Sequence, residues 1–214
     1  MQLQLRNIVP EPLKSRMGQQ HSDVWGQVQD IQAGEKIFFR APSGKGKSTF
    51  MHILYGLRND YTGKAMWDNK DVTEHKDDQW AGLRSKDLSI VFQDLRLFGD
   101  LTIEENIGIK QALTNTVTTE QVKEWLSFLG LDGKWNQKAE TLSYGERQRV
   151  AIIRSLLQPF KWLLLDEPFS HLDNENTQKA ASLIWNRVQE LNAGMMVVDL
   201  EDNEWFPYTR KLLL

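Results

Sequence analysis

The sequence of 214 residues contains no cysteine, which excludes disulfide bonds and thiolate metal sites. No apolar run approaches the ~20 residues that a membrane-spanning helix needs, and the first residues lack the apolar segment of a signal peptide. The net charge of −3 gives no basic excess, which disfavours nucleic acid as a partner. We therefore expect a soluble chain that reaches a membrane only through another protein.

The composition, with 40% hydrophobic and 26% charged residues, is typical of a single globular domain spanning residues 1–214. Short apolar runs alternate with longer amphipathic segments, which predicts an α/β fold with a mostly parallel sheet. A polar helical segment at approximately 94–141 is expected to form an inserted lobe. The predicted strands of the sheet are Lys36 to Phe39, Leu88 to Phe92, Trp162 to Asp166 and Met195 to Val198.

Several helix ends are marked in the sequence. Thr102 and Glu105 have the spacing of a capping box, in which each side chain accepts a hydrogen bond from the other residue's backbone N–H. Gly130 is predicted to end the helix before it, and Gly194 to end the helix that runs to residue 193.

The stretch "IFFRAPSGKGKSTFMHIL" predicts a strand, a glycine-rich turn and a helix. Successive backbone N–H groups in such a turn can surround a phosphate, and the helix N-terminus adds a favourable dipole. Lys47 would contact the terminal phosphates, and the Ser48 hydroxyl would bind Mg²⁺. Ala41 stands where the usual pattern has its first glycine, at a point where an extended backbone suffices. The alternative for the stretch alone is an ordinary flexible turn.

The run "KWLLLDEPFSHLD" ends a buried strand with two carboxylates, Asp166 and Glu167. Next to a phosphate loop, the first acid can support Mg²⁺ and the second can orient or deprotonate a water molecule. The alternative is a strand that ends in two solvated acids.

The segment "LSYGERQRVAIIRSLL" resembles the signature sequence of ATP-binding cassette (ABC) proteins. Four further stretches match that family in order: "APSGKGKST" as Walker A, "VFQD" as the Q-loop, "WLLLDEP" as Walker B and "SHLD" as the D-loop. The resemblance spans the chain. It implies a P-loop NTPase (RecA-like) core, an N-terminal antiparallel β sub-lobe and the inserted helical lobe. "VFQDLRLFGDLTIEENI" is most similar to the branch of lipoprotein-releasing, macrolide-export and cell-division ATPases.

The resemblance implies a site for ATP and Mg²⁺ within the chain. Glu167, Lys47 and Gln93 would be catalytic. Ser48, Gln93 and Asp166 would hold Mg²⁺. The residues implied to bind ATP are Pro42, Ser43, Gly44, Lys45, Gly46, Lys47, Ser48 and Thr49.

The resemblance also implies a homodimer in which two copies meet head to tail. Ser143, Gly145 and Glu146 of one copy would complete the ATP site of the other, and Asp173 would lie in the D-loop. Because an orphan helix N-terminus favours an anion, a signature helix that points at phosphate is physically sensible.

A membrane permease is the other implied partner, and it would place the chain on the cytoplasmic face of the cell membrane. The docking segment would include Asp94, Leu95, Leu97 and Phe98, and the alternative for each of these side chains is ordinary packing within the lobe.

Two positions depart from the family pattern without removing the implied phosphate contacts: Tyr144 replaces the first signature glycine, and Glu146 replaces a glutamine. The residue that stacks on adenine is unassigned. Trp25 is close to the loop in sequence, and His21 is either a stand-in or a solvated loop histidine.

The largest departure from the family pattern is a missing histidine. Family members usually carry it just after the strand that reads "MMVV" here. Leu200 occupies its position, or Asp199 if the alignment slips by one residue, and neither donates to phosphate at neutral pH. We expect Leu200 to fill that place while Asp199 and Glu201 turn away. The loss predicts a slow ATPase.

A regulatory ATP-dependent dimerisation module with little hydrolysis is the alternative. A chromosome-maintenance or translation ATPase is disfavoured because the chain has neither a coiled-coil insertion nor a second cassette.

Overall fold

A computed structural model describes residues 1–16, 21–114 and 116–214. The strands are β1 (Leu3–Pro10), β2 (Val28–Ile31), β3 (Lys36–Arg40), β4 (Tyr61–Trp67), β5 (Lys70–Asp71), β6 (Leu88–Val91), β7 (Trp162–Asp166), β8 (Gly194–Asp199) and β9 (Arg210–Leu213). The α-helices are α1 (Lys47–Leu54), α2 (Asp77–Lys86), α3 (Ile103–Thr114), α4 (Thr119–Phe128), α5 (Tyr144–Leu156) and α6 (Asn174–Glu190). Short 3-10 helices cover Glu11–Arg16, Val72–Glu74 and Ala139–Thr141.

The strands form two sheets. One is antiparallel, with strand order β2-β1-β4-β5, and the other is parallel, with order β6-β7-β8-β3-β9. Helices α3 and α4 lie between β6 and β7 in the chain. This arrangement confirms the predicted α/β class, with an antiparallel sub-lobe and an inserted helical segment. None of the helices in the described ranges combines the length and the apolar character that crossing a bilayer requires.

The parallel sheet separates two hydrophobic clusters, because successive side chains of a strand point to opposite faces. Phe38 and Leu163 belong to the cluster beneath α5 and α6. Phe39 and Leu164, one residue further along, belong to the cluster beneath α1 and the antiparallel sheet. Burial on both faces explains why these strands are continuous apolar runs, and it fixes the edge at which their carboxyl ends meet.

The predicted capping box at the start of α3 is present. The Thr102 N–H donates to Glu105 Oε2 at 2.8 Å, and the Glu105 N–H donates to Thr102 Oγ1 at 3.2 Å. Gly130, with φ of 66°, follows α4 as predicted.

The prediction for Gly194 is wrong. The left-handed residue after α6 is Asn192, with φ of 49°, and Gly194 is the first residue of β8. Glycine is needed there for another reason: a Cβ would lie 2.5 Å from the Trp162 indole on the neighbouring strand.

Candidate functional site

The loop between β3 and α1 turns on two glycines. Gly44 has φ of 75° and Gly46 has φ of 92°, in the left-handed region that residues with a Cβ seldom adopt. A Cβ on Gly46 would also lie 2.8 Å from Leu13 Cδ1. Because α1 begins at the next residue, Lys47, the free N–H groups of its first turn lie at this loop. The backbone therefore offers a place that favours an anion.

The Lys47 ammonium group is buried among acceptors. Its Nζ donates to the carbonyl oxygens of Ala41 at 3.1 Å and Pro42 at 3.4 Å. It also lies 3.2 Å from Glu167 Oε1, and the two side chains are 7% and 9% exposed. Either charge alone would be costly in these surroundings, and the two side chains form a buried ion pair.

Asp166 ends β7, and both of its carboxylate oxygens are buried without a hydrogen-bond partner among the described residues. Burial raises its pKa to about 6; nearby Ser48 lowers it in part, and the Glu167 carboxylate raises it further. The Ser48 hydroxyl donates to Gln93 Oε1 at 3.0 Å. A buried carboxylate without a partner, beside a hydroxyl and an amide oxygen, is a set of oxygen donors that suits Mg²⁺. These residues therefore fit the ion that the sequence implies.

Glu167 follows β7 with φ of 48°, a left-handed conformation that is unusual for a residue other than glycine. Its N–H donates to the Val198 carbonyl at 2.9 Å, and its own carbonyl accepts from Gln148 Nε2 at 3.2 Å. The surrounding structure thus holds a strained backbone in place, as is common at functional sites. This conformation carries the Glu167 side chain to Lys47.

One open cavity of about 370 Å³ is lined by Lys47, Ser48, Gln93 and Glu167, whereas Asp166 is buried and does not line it. Eight of its lining residues were predicted from the sequence, and Pro10, Pro12, Leu13 and Arg58 were not. The lining comprises Pro10, Pro12, Leu13, Ser43, Gly44, Gly46, Lys47, Ser48, Thr49, Arg58, Gln93 and Glu167. Of the other predicted ATP-binding residues, Pro42 is exposed at the start of the loop and Lys45 is half-buried.

The predicted signature segment forms the N-terminus of α5. The Ser143 N–H donates to Glu146 Oε2 at 2.8 Å, and Ser143 Oγ accepts from the Glu146 N–H at 3.3 Å, which is a capping box. A Cβ on Gly145 would lie 2.9 Å from the His171 carbonyl oxygen, so the close packing of the next loop requires glycine.

Within one copy, the Glu146 side chain makes contacts of its own. Its Oε1 lies 2.6 Å from Lys134 Nζ. The contact with Lys134 and the capping hydrogen bonds from Ser143 lower its pKa to about 2. An ionised carboxylate has no hydrogen to donate to a phosphate oxygen. Its contacts instead serve the start of α5.

A family profile described as "ABC transporter" matches residues 28–170 of the chain. The chain belongs to the ABC transporter family. The predicted ATPase class is confirmed, because ATP-binding subunits of ABC transporters are ATPases coupled to transport.

Similar ABC proteins include both importers and exporters. The aliphatic sulfonates import ATP-binding protein SsuB of Bacillus anthracis is 32% identical over 200 residues, covering 89% of this chain and 76% of SsuB. The lipoprotein-releasing system ATP-binding protein LolD of Oleidesulfovibrio alaskensis is 33% identical over 172 residues, covering 79% of this chain and 74% of LolD. The macrolide export protein MacB of Aggregatibacter actinomycetemcomitans also matches, so the branch predicted from the Q-loop segment is represented.

Solved ABC structures show the same fold. The dimeric structure of MJ0796, a bacterial ABC transporter cassette, has a TM-score of 0.77 and 27% identity, covering 93% of this chain and 88% of that chain. A second dimeric structure of MJ0796 contains ADP and Pi, with a TM-score of 0.76. These matches support nucleotide binding and dimer formation by this chain, and the names of SsuB and LolD support a membrane partner.

Trp25 and His21, the residues considered for the adenine platform of this ABC cassette, make other contacts. Trp25 is 5% exposed, and its Nε1 donates to the Lys45 carbonyl at 3.1 Å, so it supports the phosphate loop from below. The His21 side chain is 75% exposed and pairs with Asp23 at 3.0 Å, as a solvated loop histidine would. The apolar lining of the cavity includes Pro10, Pro12 and Leu13.

The segment after β8 differs in part from the prediction. Leu200 is 42% exposed and Glu201 is exposed, but Asp199 is half-buried instead of turning away. Asp199 Oδ1 accepts the Leu200 N–H at 2.7 Å, and burial raises the Asp199 pKa. The Asp199 carboxylate thus caps its own turn. Leu200 and Glu167 line a second cavity of about 390 Å³, so Glu167 borders both cavities.

Asp173, in the D-loop, is the N-cap of α6. Its Oδ1 accepts the Asn176 N–H at 2.8 Å, and Oδ2 accepts from Asn176 Nδ2 at 2.9 Å. These hydrogen bonds lower the pKa of Asp173 and keep it ionised. Within one copy, Asp173 therefore has a capping function.

Proposed function

We propose that this chain is the ATP-binding and ATP-hydrolysing subunit of an ABC transporter, acting at the cytoplasmic face of the membrane. The observation that carries the proposal is the convergence of Lys47, Ser48, Gln93 and Glu167 on one cavity. The four residues come from three separate segments, and the parallel sheet brings them together. One charged donor, two oxygen donors for a metal ion and one carboxylate are groups that suit hydrolysis of the phosphoanhydride bond between the β- and γ-phosphates of ATP.

The contacts of Lys47 and Glu167 suit hydrolysis. Bound ATP would draw the Lys47 ammonium group away from Glu167, because the triphosphate carries several negative charges and the Glu167 carboxylate carries one. Glu167 is then free to orient a water molecule and to take its proton as the water oxygen attacks the γ-phosphorus. Phosphate forms, and the bond to ADP breaks. Mg²⁺, held by Ser48, Gln93 and Asp166, would neutralise charge that develops on the phosphate oxygens.

The proposed dimer joins two copies head to tail. The N-terminus of α5, with Ser143 and Gly145, would face the phosphates bound by the other copy. ATP then holds the dimer together, and loss of the γ-phosphate releases it. Sedimentation of the chain in ATP, in a non-hydrolysable analogue and in ADP, beside measurement of phosphate release, tests both parts. Dimers in ATP with no phosphate released would contradict hydrolysis.

A regulatory module that dimerises on ATP but hydrolyses little is the second candidate. Leu200 favours it, because a leucine provides no donor at the second cavity beside Glu167. Phosphate release that stays at background while ATP-dependent dimers persist would select this candidate.

Leu200→His is expected to accelerate ATP hydrolysis by about two orders of magnitude, the usual effect of one donor in a preorganised site. A half-exposed side chain at the lip of the second cavity can be replaced with little loss of packing. Steady-state phosphate release measures the effect. Leu200→Ala is the matched control, because it removes the leucine without adding a donor. Equal rates in the two variants would mean that no donor is missing here.

We propose that the permease docks on exposed apolar side chains beside the Q-loop. Of the predicted docking residues, Asp94 and Phe98 are exposed, and Phe98 is 55% exposed. Leu95 is only 5% exposed, and Leu97 is half-buried against the core, so these two serve lobe packing. Phe98 and Ile109, which is 46% exposed, border a pocket of about 140 Å³.

Phe98→Asp is expected to weaken assembly with the co-purifying membrane subunit by at least about tenfold, because a buried aromatic anchor typically contributes 1.4 kcal/mol or more. Phosphate release by the isolated chain should be unchanged. Binding to the purified membrane subunit measures the effect. Phe128→Asp on α4 is the control, since Phe128 is 46% exposed and borders none of the cavities described above. Equal losses in both variants would place the docking surface elsewhere.

A further inference from the structure

Tyr144, the first residue of α5, contacts two other loops of the site. Its hydroxyl donates to the Gln93 carbonyl oxygen at 2.8 Å. Its ring lies against the His171 ring, with a distance of 4.0 Å between centroids and an angle of 41° between planes. The glycine of the family pattern at this position could make neither contact. One side chain thus joins the signature helix to the Q-loop and to the D-loop segment.

Through Gln93, the first contact connects Tyr144 to the phosphate loop. Gln93 offers its backbone carbonyl to Tyr144 and its side-chain Oε1 to the Ser48 hydroxyl, at 3.0 Å. The backbone turns sharply just beyond it, since Leu95 and Arg96 have φ of 59° and 46°. A residue that is exposed and precedes a strained turn has few other contacts to fix it. The Tyr144 hydroxyl therefore supplies much of what positions Gln93.

The second contact leads to Glu167. The His171 N–H donates to Gln148 Oε1 at 3.2 Å, and Gln148 Nε2 donates to the Glu167 carbonyl at 3.2 Å. Gln148 is 1% exposed, so water does not readily replace the two hydrogen bonds of its side-chain amide. Tyr144 therefore stands between the loop that meets Ser48 and the loop that follows Glu167.

The orientation of Tyr144 also bears on the dimer. A tyrosine in the signature segment could block the approach of a second copy, but the Tyr144 side chain is directed into its own chain, where it is half-buried. The Arg147 guanidinium lies over the Tyr144 ring, 5.3 Å from its centroid, and adds a cation–π contact on α5 itself. The end of α5 that carries Ser143 is thereby fixed relative to Gln93.

We propose that Tyr144 is a positioning residue that ties Gln93 to His171, so that the Q-loop, the signature helix and the D-loop segment of one copy move together. The proposal rests on the proposed ATPase function. Tyr144 is not among the residues that line the cavity of its own chain. It acts by holding Gln93 where its side chain meets Ser48.

The test compares Tyr144→Phe, which keeps the ring and removes the hydroxyl, with Tyr144→Gly, which removes both contacts. Tyr61→Phe is the matched control, because the Tyr61 hydroxyl, in β4, is buried and has no hydrogen-bond partner within the part of the chain that the structure describes. Amide hydrogen exchange of residues 92–96 and 170–172 is measured by mass spectrometry, beside kcat and KM for ATP. The Leu95 N–H, which donates to the Phe92 carbonyl at 2.9 Å, reports directly on the Q-loop turn.

Tyr144→Phe is expected to accelerate exchange in residues 92–96 by about fivefold, the equivalent of one neutral hydrogen bond, and to leave residues 170–172 unchanged. kcat should fall by a similar factor, with KM within about twofold. Tyr144→Gly should accelerate exchange in both segments. Tyr61→Phe should change none of these quantities.

Unchanged exchange in residues 92–96 of Tyr144→Phe would overturn the proposal, as would faster exchange with an unaltered kcat. A fall in kcat that matches a general loss of thermal stability would show that Tyr144 only supports the fold. A wild-type chain that releases no phosphate would overturn the ATPase function instead, and the exchange measurement would still test the contact between Tyr144 and Gln93.

Discussion

Glu167→Gln is expected to abolish phosphate release while leaving ATP bound and two copies associated. Glutamine has the shape of glutamate and accepts the same backbone conformation, so the strained turn after β7 should persist. Its amide cannot take a proton from water. Loss of a general base typically lowers the rate by 10²- to 10⁴-fold, which would bring a slow enzyme to background.

The same substitution should strengthen ATP binding. In the wild-type chain, Lys47 Nζ lies 3.2 Å from Glu167 Oε1, within a pair of buried side chains. A neutral glutamine competes less for the ammonium group, and it removes one negative charge beside the γ-phosphate. We therefore expect the Kd for ATP to fall and the ATP-bound dimer to persist.

Phosphate release, equilibrium binding of a fluorescent ATP analogue, and sedimentation in ATP measure these effects. Glu124→Gln, an exposed position on α4, is the control and should match the wild type in all three. Turnover above about a tenth of the wild-type rate would mean that another group takes the proton, since such a loss is smaller than that of a general base.

The strands of the parallel sheet were predictable because each is buried on both faces and therefore continuously apolar. β7 coincides with the predicted run Trp162 to Asp166, and β8 extends the predicted run by one residue at each end. Parallel strands end at one edge, so the polar residues that follow β3 and β7 had to meet there. This is why Lys47 and Glu167 could be predicted from the sequence as neighbours.

Other features depend on contacts that no local pattern encodes. Pro10 lies in the wall of the site because β1 pairs with β4, which places Pro10 opposite Tyr61. Gly194 has the spacing of a helix stop. Glycine is required there, however, because the Trp162 ring on the neighbouring strand leaves no room for a Cβ. The direction of the Tyr144 side chain likewise depends on the position of the Q-loop. Such facts follow from tertiary packing, which overrides local signals.

Asp166→Asn is expected to stabilise the nucleotide-free chain at neutral pH while it removes Mg²⁺-dependent hydrolysis. The Asp166 carboxylate is 1% exposed, and its two oxygens have no hydrogen-bond partner among the described residues. Burial raises its pKa from 3.8 to about 6. A shift of this size lowers the free energy of unfolding by about 3 kcal/mol when the group is ionised in the folded chain.

The pH dependence of this stabilisation has a definite sign. Because the folded-state pKa is raised, the folded chain binds a proton more readily than the unfolded chain between about pH 4 and pH 6. The destabilisation by ionised Asp166 is fully present above pH 6, becomes smaller as the pH falls and is absent below about pH 4. The difference in unfolding free energy between Asp166→Asn and wild type should therefore be largest at pH 7 and should decline towards pH 4.

Urea unfolding at several pH values measures that difference, and phosphate release at increasing Mg²⁺ measures the loss of function. Asp132→Asn, at an exposed turn position, is the control and should alter neither quantity. Mg²⁺ should stabilise the wild type and not Asp166→Asn, since the ion supplies the missing partner of the carboxylate. A variant that is less stable at pH 7, or that keeps its response to Mg²⁺, would show that Asp166 is held by interactions within the protein and is not the metal ligand. A variant that gains stability as it loses hydrolysis would show that the buried acid is maintained for the ion, at a cost to the stability of the fold.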